Sequence, residues 1–316
     1  MAQEALVAFL VLIAAALAAL WVTGERGRLW MRSTPAFFRA AGGWGARLHA
    51  YIYGRWTRQY IDVLLNKMPP AGGGQGAAWL AEHYHGKVLT HDHARAIVNL
   101  DQPIEERDLE QIVPYQHARK LVLDGPPDIA AYECYCRHAR TEHCQPTQVC
   151  MVIGKPFVDF ILEHHPHSAR RLSRNQALEL LRQEHERGHL HSAWFKDAMG
   201  DRFYAICNCC KCCCGGIQAM RGGIPMMASS GYVAEIDPQV CGRCETCMEV
   251  CPFDAIQAKG DSIAPNWEEC LGCGACQAKC PSQAIRLVRD ERKGVPLDVG
   301  ALASEAIRPR PAPSAS

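Results

Sequence analysis

The longest hydrophobic stretch lies near the start of the chain, at residues 5–22 (ALVAFLVLIAAALAALWV), and these eighteen residues carry no charge. A helix of this length, at about 1.5 Å per residue, nearly spans the ~30 Å core of a bilayer. Seven arginines and no acidic residue follow between positions 26 and 61, and basic residues mark the cytoplasmic end of membrane helices. We therefore predict a single-pass anchor in the inner membrane, with its N-terminus outside and the bulk of the chain in the cytoplasm.

A cleaved secretory signal peptide is the alternative interpretation of this stretch. Such a peptide begins with basic residues and ends in a cleavage site of small residues. The first residues, MAQE, carry only the acidic Glu4, and no such site follows the hydrophobic run. The pattern therefore favours a retained anchor.

The rest of the pattern divides the chain into segments of different character. Residues 174–187 have the periodicity of an amphipathic helix that Ser173 is expected to cap and Gly188 to end. PPAGGGQGAA is typical of a flexible linker, and a tail rich in Pro, Ala and Ser is typical of disorder. The predicted segments are the anchor (1–24), a basic juxtamembrane stretch with helices on the inner leaflet (25–68), a linker (69–78), a cysteine-rich domain (79–230), a second cysteine-rich module (231–293) and a disordered tail (294–316).

One cysteine pattern occurs twice in the second module. Cys241-x2-Cys244-x2-Cys247-x3-Cys251-Pro recurs as Cys270-x2-Cys273-x2-Cys276-x3-Cys280-Pro. Each copy is followed by an apolar pair that predicts a strand, at residues 255–256 and 284–285. Two copies of a unit that cannot bury itself alone predict a module with internal two-fold pseudo-symmetry.

The cysteine content narrows the chemistry. The chain has 18 cysteines in 316 residues, and its formal net charge of +1 gives no indication of nucleic-acid binding. Thiols stay reduced in the cytoplasm, so a disulfide scaffold is not expected. Closely spaced thiolates repel one another unless a metal neutralises them, which leaves zinc and iron–sulfur clusters.

The repeated spacing is that of ligands to [4Fe–4S] clusters, in which three close thiolates bind one cluster and the fourth, before proline, binds the other. Structural zinc sites instead favour two separated C-x2-C pairs. We therefore predict two clusters with crossed ligands. The first set is Cys241, Cys244, Cys247 and Cys280, and the second is Cys251, Cys270, Cys273 and Cys276.

On these motifs, residues 232–288 resemble a bacterial-type 2[4Fe–4S] ferredoxin domain, which implies a βαββαβ fold and electron transfer between neighbouring clusters. Gly272 and Gly274 match the usual C-x-G-C-G form of that family. The first copy departs from it at Gly242, Arg243 and Glu245, which puts a cation and an anion beside one cluster. Together with the motifs CYCRHAR and CNCCKCCC, the chain resembles bacterial 4Fe–4S dicluster-domain proteins, a group that implies no particular reaction.

Ten further cysteines precede the repeat: Cys134, Cys136, Cys144, Cys150, Cys207, Cys209, Cys210, Cys212, Cys213 and Cys214. Neighbouring side chains in CNCCKCCC diverge, so its six thiols cannot all reach one cluster. We predict one or two additional iron–sulfur clusters shared between the two segments. A zinc site and metal-free thiols are the alternatives.

Two histidine patterns invite a metal interpretation. Residues 185–189 (HERGH) match the H-E-x-x-H of zinc proteases, but Gly188 is expected to end the helix between the histidines. A second group is interpreted as surface residues rather than ligands: His83, His85, His91 and His93. No nucleotide-binding glycine motif is present, so neither a nucleotide nor a flavin is expected.

These features predict an α+β protein with an N-terminal transmembrane helix, a mixed helical cysteine-rich domain and a C-terminal βαββαβ module. The predicted function is electron transfer through several [4Fe–4S] clusters at the cytoplasmic face of the membrane, beside a redox partner protein or a membrane redox complex. The alternatives are a reductase whose catalytic centre is the upstream cysteine cluster, and a redox or iron sensor. The sequence assigns no catalytic residue.

Overall fold

The computed structural model describes residues 2–67, 82–106, 108–115, 120–260 and 262–306, so the predicted linker at 69–78 lies outside the described residues. The helices are α1 (Ala2–Gly24), α2 (Thr34–Ala40), α3 (Trp44–Arg55), α4 (Thr57–Asp62), α5 (His91–Val98), α6 (Tyr135–His138), α7 (Phe157–His164), α8 (Arg174–Glu186), α9 (Gly215–Arg221), α10 (Thr246–Val250), α11 (Ala275–Lys279) and α12 (Val299–Ala306). The strands are β1 (Tyr84–Leu89), β2 (Ile104–Glu106), β3 (Leu121–Leu123), β4 (Ile129–Tyr132), β5 (Cys150–Ile153), β6 (Ala169–Leu172), β7 (Leu190–Lys196), β8 (Arg202–Cys209), β9 (Met227–Ala228), β10 (Tyr232–Ile236), β11 (Ile256–Lys259), β12 (Ser262–Pro265) and β13 (Ile285–Arg289). This mixture of helices and sheets confirms the predicted α+β class.

Helix α1 consists of apolar residues that the rest of the protein does not cover. Ala5–Gly24 is long and apolar enough to cross a membrane, and within the described part of the chain it is the one helix of this kind. Leu6, Phe9 and Leu12 are each more than half exposed. Side chains of this kind suit lipid better than water as their surroundings.

A buried glutamate fixes the end of α1 to the following domain. Glu25 is fully buried, and its carboxylate accepts hydrogen bonds from the hydroxyl groups of Thr34 (3.0 Å) and Tyr51 (2.8 Å) and from the backbone N–H of Met31. Its Oε1 also lies 3.4 Å from Nε2 of His164. Because a buried carboxylate is stable only when it is hydrogen-bonded, this network fixes the end of α1 on the domain.

The basic stretch after α1 folds onto the cysteine-rich domain. Helices α2, α3 and α4, followed by a π-helical turn at Val63–Lys67, bury Tyr51 and Tyr53 in a core shared with α7. A smaller face points outward, where Trp44 and Leu48 are 82% and 62% exposed. The prediction of helices lying on the inner leaflet did not include this packing of α3 tyrosines into the domain core.

A seven-stranded sheet forms the centre of the cysteine-rich domain, in the order β6–β4–β5–β8–β7–β1–β9. Adjacent strands of this sheet are antiparallel, except for the parallel pair of β1 and β9. Strand β7 is buried along its whole length, between apolar cores on the two faces of the sheet. The mixed helical character predicted for this region left out the sheet, because short apolar runs do not distinguish buried strands from buried helices.

Helix α8 begins after its predicted cap and ends one residue earlier than predicted. The hydroxyl of Ser173 accepts from the N–H of Gln176 (3.3 Å), and the side-chain carbonyl of Gln176 accepts from the N–H of Ser173 (2.9 Å). Gly188 has a φ of 80°, and a Cβ at that position would lie 2.5 Å from Val250 of the C-terminal module. Glycine is therefore required both by the turn and by the close approach.

The C-terminal module has the element order β10–α10–β11–β12–α11–β13, which is the predicted βαββαβ fold. Strand β10 pairs with β13 in antiparallel fashion and brings the two ends of the module together, while β11 and β12 form a hairpin. The strands expected at 255–256 and 284–285 begin at Ile256 and Ile285.

Part of the tail that was predicted to be disordered is folded. Leu297 and Val299 are buried in a core that includes α5 and β2, and the carboxylate of Asp298 accepts from the N–H of Gly300 (3.0 Å) at the start of α12. The ammonium of Lys87 donates to the carbonyl of Val295 (2.7 Å). The prediction is wrong here because it weighed composition over the apolar positions that anchor the segment; residues 307–316 lie outside the described residues.

Candidate metal centres

In the C-terminal module, one apolar cavity is lined by four thiols: Cys251, Cys270, Cys273 and Cys276. Backbone N–H groups point at two of these sulfurs, with Ala255 3.3 Å from Sγ of Cys251 and Ala234 3.4 Å from Sγ of Cys270. Burial raises the pKa of Cys273 to about 12, so this thiol ionises only when a metal replaces its proton. The four donors and their N–H groups fit one [4Fe–4S] cluster with the predicted crossed ligands.

The other four thiols of the module surround a more open site. Cys247 is buried, Cys241 and Cys280 are half-buried, and Cys244 is exposed. Burial raises the pKa of Cys247, and the three neighbouring thiols add to that effect. The N–H of Ala284 lies 3.3 Å from Sγ of Cys280. This set fits a second cluster near the surface.

The two loops that carry these thiols turn in the same way with different residues. Arg243 and Glu245 have φ values of 54° and 60°, and Gly272 and Gly274 have values of 64° and 79°. A Cβ at Gly272 would lie 2.1 Å from the carbonyl oxygen of Tyr232, so only glycine fits there. The first loop is exposed and carries two charged side chains in the same backbone conformation.

Seven of the ten upstream cysteines line one cavity. Six of them are linked by mutual contacts and form a set that we call the thiol ring: Cys134, Cys136, Cys150, Cys207, Cys209 and Cys214. The seventh, Cys210, has its sulfur in the second set described below. The thiol of Cys134 contacts those of Cys136 and Cys150. Cys150 contacts Cys207, which in turn contacts Cys209. The ring closes through Cys214, whose Sγ lies 3.1 Å from that of Cys209 and interacts electrostatically with Cys136.

The fold explains why these six thiols meet. Cys207 and Cys209 alternate along β8, so their side chains point to the same face of the sheet. Cys150 begins the neighbouring strand β5. Contact with Cys136 and Cys150 lowers the pKa of Cys134, and the same contact with Cys134 raises the pKa of Cys136. The thiols therefore share protons, and they cannot all ionise without a metal.

The other four upstream cysteines form a tighter set that we call the four-thiol group: Cys144, Cys210, Cys212 and Cys213. Their sulfur atoms all lie within 4.8 Å of one another, and those of Cys144 and Cys212 are 3.1 Å apart. Thiolates at about 2.3 Å from one tetrahedral ion lie about 3.8 Å from each other, whereas a cubane holds each thiolate on a different iron. Within the described residues, the eight module cysteines form no set so tight. The four-thiol group therefore fits a single ion better than a [4Fe–4S] cluster.

A buried cation adjoins both upstream sets. The guanidinium of Arg137 is fully buried and donates to the carboxylate of Glu184 (2.9 Å) and to the carbonyl of Asn208 (3.2 Å). Burial alone would lower the pKa of Arg137, but the thiols of Cys210 and Cys134 and the carboxylate of Glu184 raise it overall. Its permanent positive charge offsets negative charge on the thiolates of both sets.

Comparison with known families assigns the C-terminal module. A sequence profile of the 4Fe–4S dicluster domain matches residues 234–281, a range that includes all eight cysteines of the repeat. The chain is a 4Fe–4S dicluster-domain protein. Its C-terminal module, from here on the dicluster domain, is a ferredoxin-like electron-transfer unit for two [4Fe–4S] clusters.

Known relatives match part of the chain. Hydrogenase-4 component A of Escherichia coli (strain K12) is 35% identical over 83 residues, which are 25% of this chain and 40% of that protein. Ferredoxin-1 of Caulobacter vibrioides is 38% identical over 64 residues, which are 19% of this chain and 57% of that protein. Pyruvate synthase subunit PorD of Methanocaldococcus jannaschii is 36% identical over 58 residues, which are 18% of this chain and 67% of that protein. The chain thus spans 40% and 57% of the first two of these relatives.

The loop that carries the upstream thiols is fixed to the dicluster domain. Lys211, in the middle of CNCCKCCC, donates to the carbonyl of Glu249 (2.9 Å) and pairs with the carboxylate of Asp254 (2.8 Å). Arg221 pairs with the same carboxylate. Because Asp254 lies three residues after Cys251, this network places the upstream thiols beside the dicluster ligands.

Two apolar cavities of about 90 Å³ each adjoin the thiol ring. Each volume is well above the ~10–15 Å³ that one water molecule needs. One of them is bounded by a triad of tyrosine hydroxyls that are hydrogen-bonded to one another at 2.9–3.1 Å, those of Tyr53, Tyr84 and Tyr204. The ammonium of Lys196 lies 5.1 Å from the centre of the Tyr84 ring, and burial lowers its pKa to about 8. No sequence pattern indicated this triad, because α3, β1 and β8 meet only in the fold.

The structure separates the two histidines of the H-E-x-x-H match. Nδ1 of His189 lies 2.7 Å from the carboxylate of Glu184, whereas the ring of His185 stacks on that of His91 at 4.3 Å. Helix α8 ends before His189, so the two imidazoles do not share a helix face, as predicted.

The histidines that were interpreted as surface residues have different environments. His85 is 1% exposed and stacks on Tyr115 at 4.1 Å. Nδ1 of His91 lies 3.2 Å from Nε2 of His191 on β7. The surface interpretation is wrong for His85 and His91, because local spacing does not reveal partners from distant strands.

Cys144→Ser and Cys136→Ser should remove different fractions of the upstream metal. Cys144→Ser breaks the four-thiol group, so we expect the chain to lose one metal ion while the ring keeps its metal. Cys136→Ser breaks the ring and should leave that single ion in place. Zinc and iron per chain, measured by elemental analysis of anaerobically purified protein, test the division. Identical losses in the two variants would show that the ten thiols form one site.

Proposed function

We propose that this protein transfers electrons at the cytoplasmic face of the inner membrane, through the two clusters of the dicluster domain and a third iron–sulfur cluster in the thiol ring. The two crossed cysteine sets of the repeat hold the first two clusters. The observation that carries the proposal is the contact between the two thiolate-rich regions, in which Lys211 joins the upstream loop to Asp254 and Glu249. Iron–sulfur clusters supply one-electron chemistry at such positions.

The thiol ring fits a cluster in its donors and in its surroundings. Six thiols are present where a cubane needs four, so the ring can complete a thiolate-ligated cluster. Arg137 supports the negative charge that such a site carries, and the N–H of Gly215 donates to the thiol of Cys136. The four-thiol group holds one tetrahedral ion, zinc or iron, beside it.

We propose that helix α1 holds these metal sites close to a membrane. Helix α1 has the length and apolar character to span a bilayer, and the network of Glu25 holds it against the cysteine-rich domain. The basic residues that follow favour the cytoplasm for that domain. The partner we propose is a membrane redox complex, in keeping with relatives named as a hydrogenase component and a subunit of pyruvate synthase.

A second candidate function is a reductase that acts at the thiol ring. The tyrosine-bounded cavity favours it, because the cavity touches ring thiols and offers the hydroxyl groups of Tyr53, Tyr84 and Tyr204 to a small molecule. The two functions differ in one property of the ring site. A site with thiolates on every iron only passes electrons, whereas a reductase requires one iron that is open to the cavity.

Electrons that enter the dicluster domain should reach the thiol ring. We expect dithionite to reduce the ring site of the full chain at least about tenfold faster than that of a Cys244→Ser/Cys273→Ser variant, a barrier difference of about 1.4 kcal/mol. The reason is access: Cys244 is exposed, whereas the ring thiols are buried or half-buried. Freeze-quench electron paramagnetic resonance measures both rates.

Cys144→Ser is the matched control for this experiment, because it is the same substitution at a thiol outside the proposed route. Its ring site should be reduced as fast as that of the unsubstituted chain. If all three proteins show one rate, electrons reach the ring without the dicluster domain, and the proposed route is wrong.

Cyanide distinguishes the two candidate functions. A fully thiolate-ligated ring site has no open iron, so we expect its paramagnetic resonance spectrum to be the same with and without cyanide. A changed spectrum that Tyr204→Phe alters further would place an open iron at the cavity and favour the reductase.

Reporter fusions test the membrane orientation. Green fluorescent protein joined after Gly294 should fluoresce, and alkaline phosphatase at the same position should be inactive, because both report a cytoplasmic location. The opposite pair of results would place the dicluster domain outside and contradict the proposed localisation.

A further inference from the structure

Three histidines from distant parts of the chain meet where the cysteine-rich domain contacts the dicluster domain. His91 is the first residue of α5, His185 lies in the last turn of α8, and His191 lies on β7. One ring nitrogen of each residue lies within 4.8 Å of those of the other two. We call these residues the three-histidine set; it shares no member with the thiol sets.

The hydrogen bonds of Asn208 determine which nitrogen of His191 is free. The Asn208 amide nitrogen donates to the carbonyl of Val149 (2.7 Å), so the amide oxygen is the atom that faces Nδ1 of His191 at 2.6 Å. Nδ1 must therefore carry the proton. His191 is fully buried, and burial disfavours the charged imidazolium. Nε2 of His191 consequently presents a lone pair to the set.

Of the two other members, His91 faces His191, and His185 leaves a ring nitrogen unused. Nδ1 of His91 lies 3.2 Å from Nε2 of His191. Within the described part of the chain, Nδ1 of His185 is buried without a hydrogen-bond partner. A simple hydrogen bond between His91 and His191 would leave that nitrogen unsatisfied, at a cost of about 1–3 kcal/mol. A metal ion bound through Nδ1 of His185 would remove this cost.

The spacing also suits a metal ion. Imidazole nitrogens at about 2.0–2.1 Å from one tetrahedral ion lie about 3.4 Å apart, close to the 3.2 Å between His91 and His191. The bond from His191 to Asn208 is the outer contact that orients a ligating histidine and fixes its tautomer. The rings of His91 and His185 are stacked at 4.3 Å, so one of them has to turn when both bind one ion. With that turn, three imidazoles and an outer amide form the greater part of a metal site.

An entry path reaches the set from solvent. A cleft of about 480 Å³ is bounded on one side by His91 and His185 and on the other by Tyr232, Gly274 and Arg286 of the dicluster domain. A Cβ on Gly274 would lie 3.9 Å from Cε1 of His185. The cleft leaves room for a water or an anion as the fourth ligand of an ion.

We propose that His91, His185 and His191 bind a single divalent transition-metal ion, with Asn208 as a positioning residue and a cleft water as the fourth ligand. The donor chemistry suits zinc, copper, nickel or ferrous iron. The ion joins α5, α8 and β7 where they meet the loop of Cys273 and Cys276. Asn208 connects the ion to β8, the strand that carries Cys207 and Cys209. It is separate from every thiolate site described above.

Zinc is the probe for the test, in a full-length Cys144→Ser background that removes the ion of the four-thiol group. After treatment with a chelator and dialysis against zinc, this chain should retain one zinc ion. X-ray absorption at the zinc edge should show nitrogen neighbours at about 2.0–2.1 Å. His185→Gln should lose that ion, and Asn208→Ala should bind it about 10–100-fold more weakly.

His93→Gln is the matched control, because His93 lies on the same helix as His91 and lines the same cleft without belonging to the set. It should keep its zinc. Equal zinc content in the background and in His185→Gln, or sulfur neighbours at about 2.3 Å, would overturn the proposal. Iron–sulfur absorbance reports whether each variant is folded, and the X-ray absorption of the background protein decides the question even if a variant fails to fold.

Discussion

Charge repulsion among buried thiols is the constraint on which the rest of the cysteine-rich domain depends. Two thiolates about 4 Å apart repel by about 4 kcal/mol at an effective dielectric constant of about 20. The buried cation Arg137 offsets part of this repulsion. It pairs with Glu184 and so positions α6 against α8. One cation cannot balance ten thiolates, so the thiols either keep their protons or ionise on metal ions. In the proposed function, metal ions supply the remaining positive charge.

Helix α1 and the wall of the cavity beside the thiol ring are connected through α3 and α4. Glu25 holds the end of α1 against Tyr51 of α3 and His164 of α7. The same α3–α4 segment supplies Tyr53 and Ile61 to the wall of the cavity beside the thiol ring. The basic stretch after α1 therefore contributes residues to the proposed site.

The ligand sets of the dicluster domain could be predicted because their cysteines are regularly spaced within single loops. The upstream thiol sets and the three-histidine set could not be predicted, because their members come from distant parts of the chain. Each triplet of the repeat lies within one loop, so the sequence alone indicates which thiols cooperate. In CNCCKCCC, by contrast, Cys207 and Cys209 on β8 belong to the ring, whereas the next residue, Cys210, lines the same cavity but has its sulfur among those of the four-thiol group. No pattern in the sequence reports that division. His191 shows the same limit, because its partners His91 and His185 depend on the register of β7 with β1 and on the end of α8.

The two copies of the repeat differ because they face different surroundings. Cys273 and Ala275 belong to the core that the dicluster domain shares with the cysteine-rich domain. In the same loop, the backbone of Tyr232 in β10 approaches so closely that only glycine fits at position 272. Cys244 is exposed, and its loop carries the charged residues Arg243 and Glu245. In the proposed route, the exposed cluster exchanges electrons with the partner and the buried one with the thiol ring. The departure of the first copy from the usual glycine pattern then follows from its position, since the loop that meets a partner can carry charge and the loop that meets the core cannot.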